Sequence, residues 1–259
     1  MPLSDKFWIT LKSLDALMPR VAAMIANIAC NDREFSVDSD GDRINRQAGA
    51  TIVCPNLAPS RYDYLKSQVV ENWLFDYSPQ PGDTVLDIGA GIGEEALVFS
   101  PMAKRVICVE AHPGTFRCLE KNIAANKLSN VTAIWGAITD RDGEIFLSDG
   151  DDHLSNMMQA NGGIAVPARS LQSLCDELGI DEIDFLKMNI EGAERLAIEG
   201  FGNIKIRHLV ISCHDFLDRD DMRTKATVEA FLRTHDYKVK SRPDHPMSYT
   251  RCNLYASHA

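Results

Sequence analysis

Asp87, Gly89, Ala90, Gly91 and Gly93 stand in the stretch "TVLDIGAGIGEEALVF", residues 84–99. Three glycines in five residues, between a β-branched run and an amphipathic one, make a loop on which a ligand can lie without meeting a Cβ. The helix that follows turns its first amides toward the same ligand. No Lys-Ser or Lys-Thr follows the glycines, so this is not a triphosphate-binding P-loop. The dinucleotide pattern G-x-G-x-x-G needs glycine at 94, where Glu94 stands. Asp87 would repel a pyrophosphate and suits a cation, such as a sulfonium or an amino group. Glu110 ends the next apolar run, where a carboxylate can accept both hydroxyls of a ribose. A ribose, a positive charge and no phosphate describe S-adenosylmethionine. Taken singly, the loop also fits a plain strand–helix turn and Glu110 a solvated strand end. It is their register that points to the cofactor.

Methyl transfer from a sulfonium is an in-line displacement, and an alcohol acceptor must also lose a proton. His214 closes the apolar run "IRHLVISCHD" and is the first choice for that base. Glu191, after "DFLKMN", is the second; a helix N-terminal carboxylate is its other reading. His153, in the polar insertion "SDGDDHLSNMM", and Arg169 are read as acceptor contacts, against a solvated loop and a surface ion pair. Asp149, Asp151 and Asp152 lack the spacing of a calcium loop, so no metal is expected.

These residues need a frame. From residue 83, short continuous apolar runs alternate with helical ones, the pattern of a parallel sheet covered on both faces. Residues 81–259 are read as the cofactor-binding domain and 1–80 as a mainly helical N-terminal cap. Within the cap, Leu14, Leu17, Val21, Met24 and Ile28 form one stripe over 5–30, and Pro19 kinks or divides it. Residues 31–60 read as polar and irregular, with "ATIVCP" as one short strand, and 61–77 as another helix. The stripe predicts burial against the acceptor pocket or a homodimer contact.

The whole chain bounds its partners. With 27 basic and 37 acidic side chains, the net charge of −10 disfavours nucleic acid and anionic membranes. The seven cysteines have no metal-finger or C-x-x-C spacing, which fits a reducing, cytoplasmic setting. No stretch reads as a targeting or membrane-spanning segment. The expected partner is a small-molecule acceptor.

Residues 84–214 resemble the FkbM-type S-adenosylmethionine-dependent methyltransferases. "VLDIGAGIG", "VICVEAHPGTFRCLEKNIAANKLSNVT", "GAITDRDGEIFL", "DFLKMNIEGAE" and "LVISCH" carry the likeness in order and spacing. The resemblance implies a Rossmann-like class I methyltransferase fold, an α/β architecture whose seven-stranded, mostly parallel sheet has an antiparallel last strand. It also implies O-methylation of sugars, hydroxylated natural products or carboxylates. By the same resemblance Asp87, Gly89, Gly91 and Gly93 match the cofactor loop and Glu110 the ribose-binding acid. Ala137 falls where adenine is lined, and Asn189, Glu191 and Gly192 at the mouth where donor and acceptor meet. Asn189 stands where the family usually has Asp, and an amide binds a divalent cation less well. Ser212 stands where the family often has Glu. "NIEG" replaces the N/D-P-P-Y/F sequence that serves planar amino groups, against methylation of nucleobase or glutamine nitrogen. A nicotinamide-dependent oxidoreductase and a non-catalytic cofactor-binding protein are the rival classes.

Overall fold

The computed structural model describes residues 5–148, 158–159, 163–217 and 219–258. Pro19 divides the first helical stretch into α1 (Asp5–Leu17) and α2 (Pro19–Ala29), since proline suits a helix start and not an interior. The division shifts the helical phase. Leu11, Ala22, Ala23 and Ala26 face inward on Phe35 and Leu57, whereas Leu17, Met24 and Ile28 of the expected stripe are exposed.

The next segment adds a small sheet to the N-terminal helices, where the sequence offered "ATIVCP" as one short strand. β1 (Arg33–Val37), β2 (Arg43–Gln47) and β3 (Ala50–Cys54) form an antiparallel sheet in that order. β1 and β2 each bury one residue, Phe35 and Asn45, and so show too little alternation to read as strands.

α3 (Tyr62–Trp73) follows and packs on the main sheet, with Val69 and Leu74 in its core and Val70 exposed. From there the expected alternation appears. β4 (Thr84–Ile88), α4 (Glu94–Phe99), β5 (Arg105–Glu110), α5 (Pro113–Ala125) and β6 (Val131–Trp135) form the first half. A side sheet interrupts it: β7 (Ala137–Thr139), β8 (Gly143–Leu147), β9 (Met158–Gln159) and β10 (Ile164–Ser170), in the order β7-β10-β8-β9. The second half is α6 (Leu171–Leu178), β11 (Glu182–Met188), α7 (Glu194–Glu199), β12 (Lys205–Ser212), α8 (Lys225–Thr234), β13 (Lys238–Ser241), α9 (Ser248–Arg251) and β14 (Asn253–Ser257).

The main sheet runs β13-β14-β12-β11-β4-β5-β6. Its last strand in sequence, β14, is antiparallel to both neighbours, and β12-β11-β4-β5-β6 are parallel. Alternate residues serve opposite faces. Leu86, Ile88, Ile107 and Val109 pack with α6, α7 and α8, while Val85, Val106 and Cys108 pack with α3, α4 and α5. This is the class I methyltransferase architecture. A topological switch lies where β4 adjoins both β5 and β11, and such sheets bind ligands at the carboxyl ends there.

The N-terminal sheet is fastened to α5 by polar side chains. The Asn122 amide accepts from Val53 N at 2.6 Å and donates to Val53 O and Ile92 O, each at 2.8 Å. The turn before β2 wraps the Lys121 ammonium with Asp38, Asp40 and Asp42 at 2.6, 2.7 and 2.6 Å, and buried Asp42 also accepts from Arg117. Burial alone would raise the Asp42 and Asp38 carboxyls; bonds from Lys121 to both, and from Arg117 to Asp42, hold both below the ordinary 3.8. A depressed carboxylate contributes stability above its unfolded pKa and loses it as pH falls through the folded value. The expected result is a thermal midpoint that drops steeply below about pH 4. Lys121→Met flattens that drop, as scanning calorimetry from pH 7 to pH 2.5 would read it.

Candidate active site

A cleft of about 800 Å³, open to solvent, lies at the carboxyl ends of β4, β5 and β11. Gly89, Gly91, Glu110, Ala137, Asn189 and Glu191 line it, as the sequence leads one to expect. Ala111, His112, Ile145, Leu147 and Ile190 line it too. Ala90 and Gly93 belong to the loop but do not line the cleft: Ala90 is buried beneath it and Gly93 lies against Leu119.

Two glycines are needed for different reasons. Gly89 has φ +72°, and a Cβ there would sit 1.9 Å from the Asn189 carbonyl oxygen. Gly91 has φ +56°, and a Cβ there would come no nearer than 4.0 Å to any atom, the Glu94 Oε2. The first glycine lets β4 and β11 close up; the second leaves the floor open to a ligand. Gly89 N and Ala90 N both donate to Val109 O, at 2.9 and 3.0 Å, which pins the loop to β5.

Glu110 is joined to the same loop. Its Oε2 accepts from Gly91 N at 2.9 Å and its Oε1 from His112 N at 2.8 Å. Each oxygen keeps a lone pair, enough for a pair of ribose hydroxyls. Burial pushes this carboxyl up to about 7 against the pull of those amides. The Asn189 side chain makes no hydrogen bond among the described residues and faces the cleft, a free amide beside the loop. Open floor, paired carboxylate oxygens and free amide together fit S-adenosylmethionine.

Asp87 takes a different place from the one its spacing suggests. It is fully buried under the loop, 2.8 Å from the Lys187 Nζ, and does not line the cleft. Its charge is already matched by an internal ammonium, so it supports the loop instead of meeting a sulfonium.

The two base candidates lie at different depths. His214 is 3% exposed and sits behind Glu191, which reaches the cleft. The His214 Nε2 lies 3.3 Å from Glu191 Oε2 and its Nδ1 lies 3.0 Å from Glu194 Oε1. Glu194 is fully buried and its Oε2 accepts from Thr224 Oγ1 at 2.9 Å. Burial opposes charge on His214, but the two flanking carboxylates raise its pKa to about 9. Both ring nitrogens then donate, and the side chain is an imidazolium. Glu191 has φ +51°, a left-handed conformation that costs a non-glycine residue about 1–3 kcal/mol and aims it at the cleft.

Arg169 stands on β10 and pairs with Glu177 on the surface, away from the cleft. The plain ion-pair reading of that residue is the one the structure supports. His153 lies outside the described residues. Lys187, Glu194 and Thr224 were not singled out by sequence. For the first two the signal is present in "DFLKMNIEGAE": a lysine amid apolar strand residues, and a second Glu three places after the first.

No helix of the described residues is long and apolar enough to cross a membrane. The family described as "Methyltransferase FkbM domain" matches residues 87–239, more than half of the chain. The 2-O-methyltransferase NoeI of Sinorhizobium fredii is 30% identical over 144 residues, 47% of this chain and 58% of that protein. A 23S rRNA (uracil(1939)-C(5))-methyltransferase RlmD of a Shewanella strain is 31% identical over 103 residues, 37% of this chain and 22% of that one. The AMB antimetabolite synthetase AmbE of Pseudomonas aeruginosa is 25% identical over 271 residues, 86% of this chain and 13% of that one. The chain spans less than two thirds of the length of each of these relatives. The chain belongs to the FkbM methyltransferase family and carries that family's S-adenosylmethionine-dependent domain.

Proposed function

We propose that this chain methylates a hydroxyl oxygen of a small molecule. The observation that carries the reading is Glu191, a carboxylate turned into the cleft by a left-handed backbone and backed by the His214 imidazolium. A hydroxyl acceptor needs a base at that place, whereas a carboxylate acceptor needs none and would be repelled by one. The cofactor, when bound, supplies an electrophilic methyl group on a sulfonium. Gly91 offers it an open backbone, Glu110 takes its ribose and Asn189 its polar edge. Glu191 accepts the acceptor's hydroxyl proton. His214 donates to Glu191 and holds its orientation, and Glu194 with Thr224 holds His214. Ile145, Leu147 and Ile190 give the cleft an apolar wall.

The likeness to a 2-O-methyltransferase supports oxygen as the acceptor atom. The likeness to an rRNA methyltransferase covers a smaller share of the chain. No Lys or Arg lines the cleft among the described residues, and the net charge is −10, both unfavourable to a polyanion. The test is methyl transfer from labelled S-adenosylmethionine to glycosides, hydroxylated aromatics, carboxylic acids and RNA. Label in a base-stable ether is the expected result. Label in a base-labile ester, or in RNA, would overturn the proposal.

A further inference from the structure

Lys187 is a charged side chain that folding alone does not call for. It lies in the apolar run of β11, in register with Asp87 of β4, and is 1% exposed. Burying an ammonium is costly, and an apolar residue of similar length would fill the space at no such cost. Its Nζ donates to Gly89 O at 2.8 Å, lies 2.8 Å from Asp87 Oδ1 and 4.0 Å from Glu95 Oε1, and sits 5.2 Å from the Trp73 ring centre. Trp73 Nε1 in turn donates to Glu95 Oε1 at 3.0 Å. Both Asp87 oxygens lack a well-directed hydrogen bond. Asp87 thus supplies charge, and the directed bond of the ammonium goes to the first glycine of the cofactor loop.

We infer that Lys187 is a positioning residue for the cofactor. By holding the Gly89 carbonyl inward it keeps Gly89 in its left-handed conformation and so sets the course of the loop that leads to Gly91 at the floor of the cleft. Asp87 keeps the ammonium charged. Trp73 and Glu95 brace it from the other side and so connect α3, which does not line the cleft, to the loop that does. The loop is therefore held from two directions: Val109 O takes the Gly89 and Ala90 amides, and Lys187 takes the Gly89 carbonyl. The inference concerns cofactor binding and stands whether or not the acceptor atom is a hydroxyl oxygen.

A purely structural role would consist in neutralising Asp87, and the two roles separate in a double substitution. Lys187→Met leaves Asp87 charged and unmatched, and lowers both stability and affinity. Asp87→Asn together with Lys187→Met removes both charges and restores the thermal midpoint. Under the inference it leaves the calorimetric Kd for S-adenosylhomocysteine weaker by about tenfold to a hundredfold, the effect of losing a hydrogen bond from a charged donor. A double variant that is stable and binds S-adenosylhomocysteine like the parent would overturn it. Trp73→Phe and Glu95→Gln test the brace without stranding Asp87, should the double variant fail to fold. Each is expected to weaken binding by about threefold to tenfold. Unchanged Kd in both would likewise overturn the inference.

Discussion

Glu191→Gln is expected to lower kcat by about a hundredfold to ten-thousandfold, the usual contribution of a general base. The Kd for S-adenosylhomocysteine should stay within about twofold, because the amide keeps the size of the carboxylate and the cofactor needs no proton removed. A rate near the parent's would remove Glu191 from the reaction. The pH profile adds a second reading. His214 titrates near 9 in the fold against 6.5 ordinarily, so its pairing stabilises the protein in full below about pH 6.5. That contribution, about 3 kcal/mol by the conversion from pKa, fades above this and is lost as pH passes 9. Activity should fall along the same alkaline limb, since a neutral ring has one N–H fewer to give to two carboxylates. Glu194→Gln removes one of the two groups that raise the histidine and should move that limb toward neutral pH.

Gly89→Ala is the second large effect. The new Cβ would meet the Asn189 carbonyl oxygen at 1.9 Å, and backbone, unlike a side-chain tip, cannot swing aside. The strand ends must separate, which displaces Asn189 from the cleft wall. The expected outcome is loss of S-adenosylhomocysteine binding by more than about a hundredfold, with a lowered urea midpoint. Gly91→Ala should contrast with it. Its Cβ enters open space, so stability falls only by the left-handed strain, about 1 kcal/mol, while the site loses room for its ligand. Equal stability losses in the two variants would contradict this division of roles.

The legible part of this molecule was its periodicity. Apolar runs of five to eight residues between helical stretches give a covered parallel sheet, because β4, β5, β11 and β12 are buried on both faces. What stayed hidden were strands without that signature. β10 contains Pro167, which argues against a strand, yet it lies between β7 and β8. β1 buries only Phe35, against α1 and α2, and β2 buries only Asn45, whose amide donates to Ala58 O and Ser60 O, so neither strand carries a continuous apolar face. In the site, spacing placed Glu110 at the end of β5, and the family resemblance placed Asn189 and Glu191 just past β11, where the structure has them. Spacing could not tell which of Glu191 and His214 stands in front, since that depends on the left-handed turn at Glu191. Nor could it tell that Asp87 faces down, since that depends on Lys187, a hundred residues away in sequence and one strand away in space.

The segment that the family match covers and the unit that folds do not coincide. The family match ends at residue 239, inside β13 and before β14, which lies between β13 and β12 in the sheet. A fragment cut to the shared segment would leave "KIRHLVIS" of β12 as an open, apolar edge, a template for sticking to other chains. It would also strip α3, whose Asn72 carbonyl receives the Tyr255 hydroxyl of β14 at 2.8 Å, and bare the Cys118 face of α5 that β3 now covers. The cleft is held inside a shell that lies outside the matched segment, so fragments meant for expression should be cut by contact and not by the bounds of the match.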